Sequence, residues 1–230
     1  MSRFVSGVLP LAAAVLMAGS AQGAPIGILS VDSCAGTVRV DATSIDFTPQ
    51  CVQAGSPTTI TSTFGNIITG DQGTINDLVG PLPLGGVPFM IFDPGAPGGG
   101  LLTFILTSVG PGSANTNCAT ATPSNGCSVI AGSPFILTGN AASTTARLEI
   151  AGTVSDSSGL STFVGSFSAP FAGQSPAQVA AMFASAGSIT STFSGQLILT
   201  AVPEPGGLAL MGLGLLGVGL VSRRRFKASA

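Results

Sequence analysis

Between two apolar ends, the chain places apolar residues at every second position in short runs and stops each run at Gly, Pro or Ser/Thr clusters. A period of two puts alternate side chains on one face of a strand, so this pattern points to half-buried β-strands. Val38 and Val40 lead into Ile45 and Phe47, and Ile60, Ser62 and Phe64 follow. Leu101 to Leu106 is a continuous apolar run that suits a central strand, and Arg147 to Val154 alternates through Leu148, Ile150 and Gly152. Phe163 to Phe167 and Ile189 to Leu199 complete the set. Asp93-Pro94-Gly95, Gly98-Gly99-Gly100 and Pro111-Gly112 mark turns or loops. Disorder is the rival for a chain with 33 Gly and 16 Pro, but its hydrophobic content of 45% is enough to build a core.

One helix stands out. Ser175 takes the N-cap position, Pro176 the first helical position, and Gln178 the place where a capping box wants it. Val179, Met182 and Phe183 then share a face. Many short strands with a single helix predict an all-β antiparallel β-sandwich or jelly-roll-like domain over residues 24–200.

Charge narrows the function. Between residues 24 and 200 the only cations are Arg39 and Arg147, set against Asp32, Asp41, Asp46, Asp71, Asp77, Asp93, Glu149 and Asp156. Such a surface has almost nothing with which to neutralise phosphates, which excludes nucleic-acid binding. The cysteines, Cys34, Cys51, Cys118 and Cys127, lack the knuckle spacing of a structural zinc site. In an exported chain they read as disulfides. Four cysteines allow three connectivities, and Cys34–Cys51 with Cys118–Cys127 is expected because both bonds close short loops.

The two ends are processing segments. Residues 1–23 read as a secretory signal helix: Arg3, an apolar run from Phe4 to Met17, and small residues at Ala21-Gln22-Gly23 that fit cleavage before Ala24, with cleavage after Ala21 nearly as good. Export through the Sec machinery and removal by signal peptidase follow from that reading. At the other end, Val202-Pro203-Glu204-Pro205 precedes an apolar run from Gly206 to Val221, and Arg223, Arg224 and Arg225 come next. As a helix that run is about 24 Å long at ~1.5 Å per residue, somewhat short of a hydrocarbon core of about 30 Å. Local thinning and flanking side chains absorb the difference. The arginines stay cytoplasmic by the positive-inside rule, so the β-rich domain hangs outside the inner membrane.

This order of motif, transmembrane helix and basic cluster over residues 201–230 resembles the PEP-CTERM sorting domain of Gram-negative bacteria. The resemblance implies that exosortase, a membrane-embedded transpeptidase-like cysteine enzyme, is the processing partner. It also implies that Val202, Pro203, Glu204 and Pro205 are the recognition element and that Arg223–Arg225 are the stop. Two prolines hold the segment extended at the membrane surface, the form a peptide-cleaving enzyme grips. Proteins of this kind accompany exopolysaccharide and biofilm formation, which the resemblance alone carries. Gly212-Leu213-Gly214-Leu215-Leu216-Gly217 matches a dinucleotide fingerprint in letters only, because it lies inside the apolar span and follows no strand.

Catalytic means are scarce. The chain has no His, Tyr or Trp and no Lys before Lys227, and it contains no G-x-S-x-G elbow. Paired carboxylates remain for glycosidase-like chemistry, with Asp41 and Asp46 or Asp71 and Asp77 as candidates, although Asp among Gly and Thr is ordinarily a turn residue. The chain is therefore expected to be a non-enzymatic envelope or matrix protein with no metal and no cofactor. Its destination is the cell surface or the medium after processing. The alternative is a secreted ligand- or polysaccharide-binding module, which a concave apolar groove with exposed Phe would favour.

Overall fold

A computed structural model of the chain describes residues 24–41, 44–62, 66–79, 86–93, 101–156, 159–202 and 212–215. The strands are β1 (Gly27–Ser33), β2 (Thr37–Asp41), β3 (Ser44–Thr48), β4 (Cys51–Ala54), β5 (Gln72–Ile75), β6 (Leu78–Val79) and β7 (Val87–Phe92). They continue with β8 (Leu102–Val109), β9 (Phe135–Gly139), β10 (Ser143–Asp156), β11 (Gly159–Ala172), β12 (Ser188–Ser191) and β13 (Ser194–Ala201). A 3-10 turn, Cys118–Thr120, lies before β9, and helix α1 (Pro176–Ala186) lies between β11 and β12.

The all-β antiparallel expectation holds, but the arrangement is not the expected sandwich. Eight strands form a closed barrel in the order β11-β13-β1-β4-β5-β7-β8-β10, and β10 pairs back onto β11. Closure rests on β10 and β11, a hairpin of two fourteen-residue strands paired from Ser143↔Ala172 to Asp156↔Gly159. The other edge of β10 is shared: β8 takes Ile150–Ser155 and β9 takes Thr144–Leu148. A separate four-stranded sheet has the order β12-β2-β3-β6. Alternation of apolar residues is the same for a strand in a sandwich and a strand in a barrel. Only the partner of each edge separates the two, and local pattern does not encode it.

Along β10 the burial alternates without a break from Thr144 to Val154, which aims Ile150, Gly152 and Val154 inward and Arg147, Glu149 and Thr153 outward. An eight-stranded barrel is just wide enough to be filled by side chains, and here Phe fills it. Phe104 meets Phe163 and Phe92 edge-on with ring centroids 5.6 and 6.3 Å apart. Gly152 makes room for this stack, because a Cβ there would come within 2.7 Å of the Phe163 ring. The outer wall carries Gln53, Gln72, Thr107, Arg147, Glu149, Thr162 and Gln196. Val164 and Ile198 are exposed on the same wall, at 57% and 50%.

The small sheet, the 3-10 turn, β9 and α1 leave from one mouth of the barrel, while the β4–β5 connection with its Ile60↔Ile67 bridge lies at the other. β1 reaches β4 through β2 and β3, β5 reaches β7 through β6, β8 reaches β10 through the 3-10 turn and β9, and β11 reaches β13 through α1 and β12. The small sheet closes that mouth with a second aromatic cluster, in which Phe47 meets Phe193 at 5.2 Å and Phe89 meets Phe167 at 5.4 Å. Helix α1 starts as the sequence predicts: the Ser175 hydroxyl accepts from the Gln178 N–H, and the Gln178 side chain accepts from the Ser175 N–H. Val179 and Phe183 are buried beneath it, and Gly187 ends it at φ 70°. Both disulfides form in the expected pairing, Cys34–Cys51 and Cys118–Cys127.

Two outcomes follow for stability. Phe163→Ala is expected to cost about 3–5 kcal/mol by urea titration, whereas Thr162→Ala on the outer wall costs about 1 kcal/mol or less. Replacing Cys34 and Cys51 together with Ser is expected to cost about 3 kcal/mol for a loop of this length. The Cys118–Cys127 pair, with a separation of 9 residues rather than 17, costs slightly less in the same titration.

Candidate functional site

The sorting element begins where the barrel ends. β13 pairs with β1 from Ser194 to Leu199 and with β11 from Ser194 to Ala201. Its last two residues are therefore held on one side only. The final backbone bond runs from the Val202 N–H to the Leu160 carbonyl at 3.2 Å. Val202 is thus tied to the barrel rim and 37% exposed, while the residue after it is the first proline of the motif.

The start of the domain lies at the same rim. Gly159, which opens β11, faces Ala24: a Cβ at Gly159 would stand 3.1 Å from the Ala24 Cβ and 3.5 Å from its nitrogen. The Asp156 carboxylate shapes this hairpin by accepting the Gly159 N–H at 3.1 Å. The expected first residue of the mature chain and the first residue of the sorting element therefore flank one hairpin. Gly159 and Leu160 were not foreseen as parts of this junction. Only strand register reveals them, because they lie about forty residues from Val202 in sequence.

Pro203, Glu204, Pro205 and the Arg223, Arg224 and Arg225 cluster lie outside the described residues, as does the signal segment 1–23. Residues 212–215 are helical, within the expected apolar span. Among the described residues, no helix is long and apolar enough to cross a membrane.

The candidate carboxylates bind their own backbone. Asp77 accepts the Phe47 N–H at 2.8 Å with one oxygen and the Gln50 amide at 2.8 Å with the other, pinning β3 to the β5–β6 connection. Asp71 accepts the Ile68 N–H at 2.9 Å, closing a turn. Asp41 accepts both the N–H and the hydroxyl of Ser44, and Asp46 accepts the Thr48 hydroxyl. These are the turn roles that Asp fills among Gly and Thr. Glu149 pairs with Arg147 at 3.3 Å on the outer wall, with both side chains about half exposed.

Among the described residues, neither the interior nor the Phe side chains offer a binding platform. Between the small sheet and the barrel mouth lies an apolar cavity of about 40 Å³, lined by Phe47, Phe89, Leu148, Phe167, Phe171 and Phe193 among others. That is room for a few waters at most and too little for a ligand, and the lining is apolar apart from Ser168 and Ser191. Every described Phe is buried, the most exposed being Phe135 at 8%. A shallow groove on the wall is lined by Ser30, Asp32, Ser166, Ser168, Ser194 and Gln196 and has no ring for a sugar to stack on.

Compared with known families, the chain matches the PEP-CTERM protein-sorting motif over residues 201–225. It therefore carries the C-terminal sorting signal of an exported protein, with exosortase as the processing partner. No match was found among curated proteins or among solved structures. The matched segment starts at Ala201, the last residue of β13, so motif and barrel meet without a linker.

If Asp77 is a structural anchor, Asp77→Ala leaves a backbone N–H and an amide without their acceptor. It is expected to lower stability by about 1–3 kcal/mol in a denaturant titration. Processing of the tail is expected to be unchanged when followed by mass.

Proposed function

We propose that this chain is a non-enzymatic envelope or extracellular-matrix protein whose barrel is the cargo of its own sorting tail. In this reading Arg223–Arg225 hold the chain at the inner membrane, exosortase recognises Pro203–Pro205, and cleavage nearby frees a rigid, acidic, water-facing barrel. The observation that carries it is the direct passage of β13 into the motif at residues 201–225. The polar outer wall supports an aqueous destination, and the carboxylates already engaged in turns support a role without catalysis. A part in exopolysaccharide or biofilm assembly rests on the likeness of the tail to the sorting domain.

The alternative of a ligand- or polysaccharide-binding module wants an exposed aromatic face or an open lumen. The described Phe side chains are packed inside, which weighs against it.

Intact mass spectrometry of envelope and medium fractions, with and without the host's exosortase, tests the proposal on wild type and Glu204→Ala. The expected mature species starts near Ala24 and ends near Pro203–Pro205. The Glu204→Ala chain, and the wild type without the enzyme, are expected to keep the longer C-terminus. A final product that retains Arg223–Arg225 under every condition would make the tail a plain anchor and sink the sorting mechanism.

A further inference from the structure

We propose that the barrel docks on the bilayer surface by the rim from which its tail leaves, through a ring of exposed aliphatic side chains. The proposal rests on reading residues 206–221 as membrane-inserted and adds an orientation and a contact surface to it. Among the described residues before the tail, nine large aliphatic side chains are exposed, and five of them lie at this one end: Ile26, Ile68, Leu101, Leu160 and Val202. Ile26 precedes β1, Val202 follows β13 and Leu160 is second in β11, so three neighbouring strands of the wall each contribute one. Leu101 immediately precedes β8 on the far side of β10, and Ile68 sits in the connection from β4 to β5 at the same end. Val164 and Ile198 form a smaller exposed pair in mid-wall, but five such side chains gathered at one rim call for an occupant.

Chain length identifies the occupant. Val202 is hydrogen-bonded to the rim, and the apolar span starts at Gly206. Four residue steps reach at most about 14 Å when fully extended. With the span inserted, the Val202 side of the rim cannot stand farther than that from the interface, which sets this end of the barrel next to the bilayer. Charge narrows the lipid. Asp71, Asp93 and Asp156 lie at this end, whereas Arg39 is in the small sheet and Arg147 lies well along β10 from the hairpin. The contact therefore works by apolar burial on a zwitterionic surface, and not by attraction to anionic headgroups.

The absence of Trp and Tyr provides the test, since one introduced indole is the sole emitter of its kind. Full chains carrying Leu160→Trp, Ile26→Trp or Val79→Trp are reconstituted into vesicles of brominated phosphatidylcholine and floated. Val79, on β6 at the opposite mouth, is 75% exposed against 46% for Leu160 and Ile26, so accessibility alone would favour quenching at the control. The expected result is a blue shift and loss of most of the emission for the two rim variants, with Val79→Trp unchanged. Floated chains whose rim indoles stay bright would leave the anchor standing and overturn the docking, as would equal quenching at Val79. Bright rim indoles together with cross-linked dimers would assign the rim to a second copy. A chain that does not float would remove the anchor reading and the docking with it.

Discussion

The double pairing of β11, with β10 on one edge and β13 on the other, is the constraint on which the rest of the fold depends. Without the second ladder the long hairpin would be the edge of an open sheet. With it, the eight strands close into a wall whose remaining edges are local, at β9 and at the last two residues of β13. An exposed edge invites pairing with another chain, and closure removes that liability rather than masking it with charge. This matters for a chain with 7% charged residues, which has little charge available to blunt an edge. The pairing also forces the inner face to be filled, because a barrel of this size has no room for solvent among apolar side chains.

Phe is well suited to that filling. It brings a large apolar surface with no hydroxyl or indole N–H to satisfy, so no buried polar partner has to be built for it. Ring contacts tie the two sheets together: Phe47 from β3 meets Phe89 of β7 and Phe193 ahead of β13 edge-on, and Phe193 meets Phe167 of β11 at a tilt. The cluster that closes the barrel mouth is thus the cluster that holds the small sheet. Disulfide Cys34–Cys51 reinforces the same mouth, joining the turn after β1 to the start of β4. Disulfide Cys118–Cys127 holds the loop that leads to β9. Both clasps and most of the loop structure stand away from the rim that bears the tail.

Legibility in the sequence followed the range of the interaction. The β2–β3 hairpin, α1 with its capping box, both disulfides and the sorting motif depend on residues close in sequence, and each was readable from its own letters. Ile189 to Leu199 reads as one alternating stretch, yet it is two strands in different sheets, broken at Thr192-Phe193 where Phe193 turns into the aromatic cluster. β1, β4, β5, β7 and β9 were not singled out. They are short or interrupted by Gly and Pro, and they are strands because neighbours complete their ladders. The choice of barrel over sandwich was the hardest part to see, since it depends on which edges meet across more than a hundred residues.

The shared rim of the two termini follows from the strand pairing rather than from any feature of the ends. β1 is the first strand of the wall and β13 the last, and they are antiparallel neighbours, with Gly27 opposite Leu199. Where first and last strands pair antiparallel, the chain must enter and leave at the same end. For a precursor with an apolar segment at each terminus, this has a mechanical consequence. On the reading proposed above, in which both apolar segments are membrane tethers, both start from one rim and neither has to cross the folded domain. A wall whose first and last strands ran parallel would put the termini at opposite ends and oblige one tether to run the length of the barrel. Val202 has no such length to spare, because only Pro203, Glu204 and Pro205 separate it from the apolar span. Because β13 pairs antiparallel with β1, the motif at residues 201–225 leaves from the rim at which the described barrel begins.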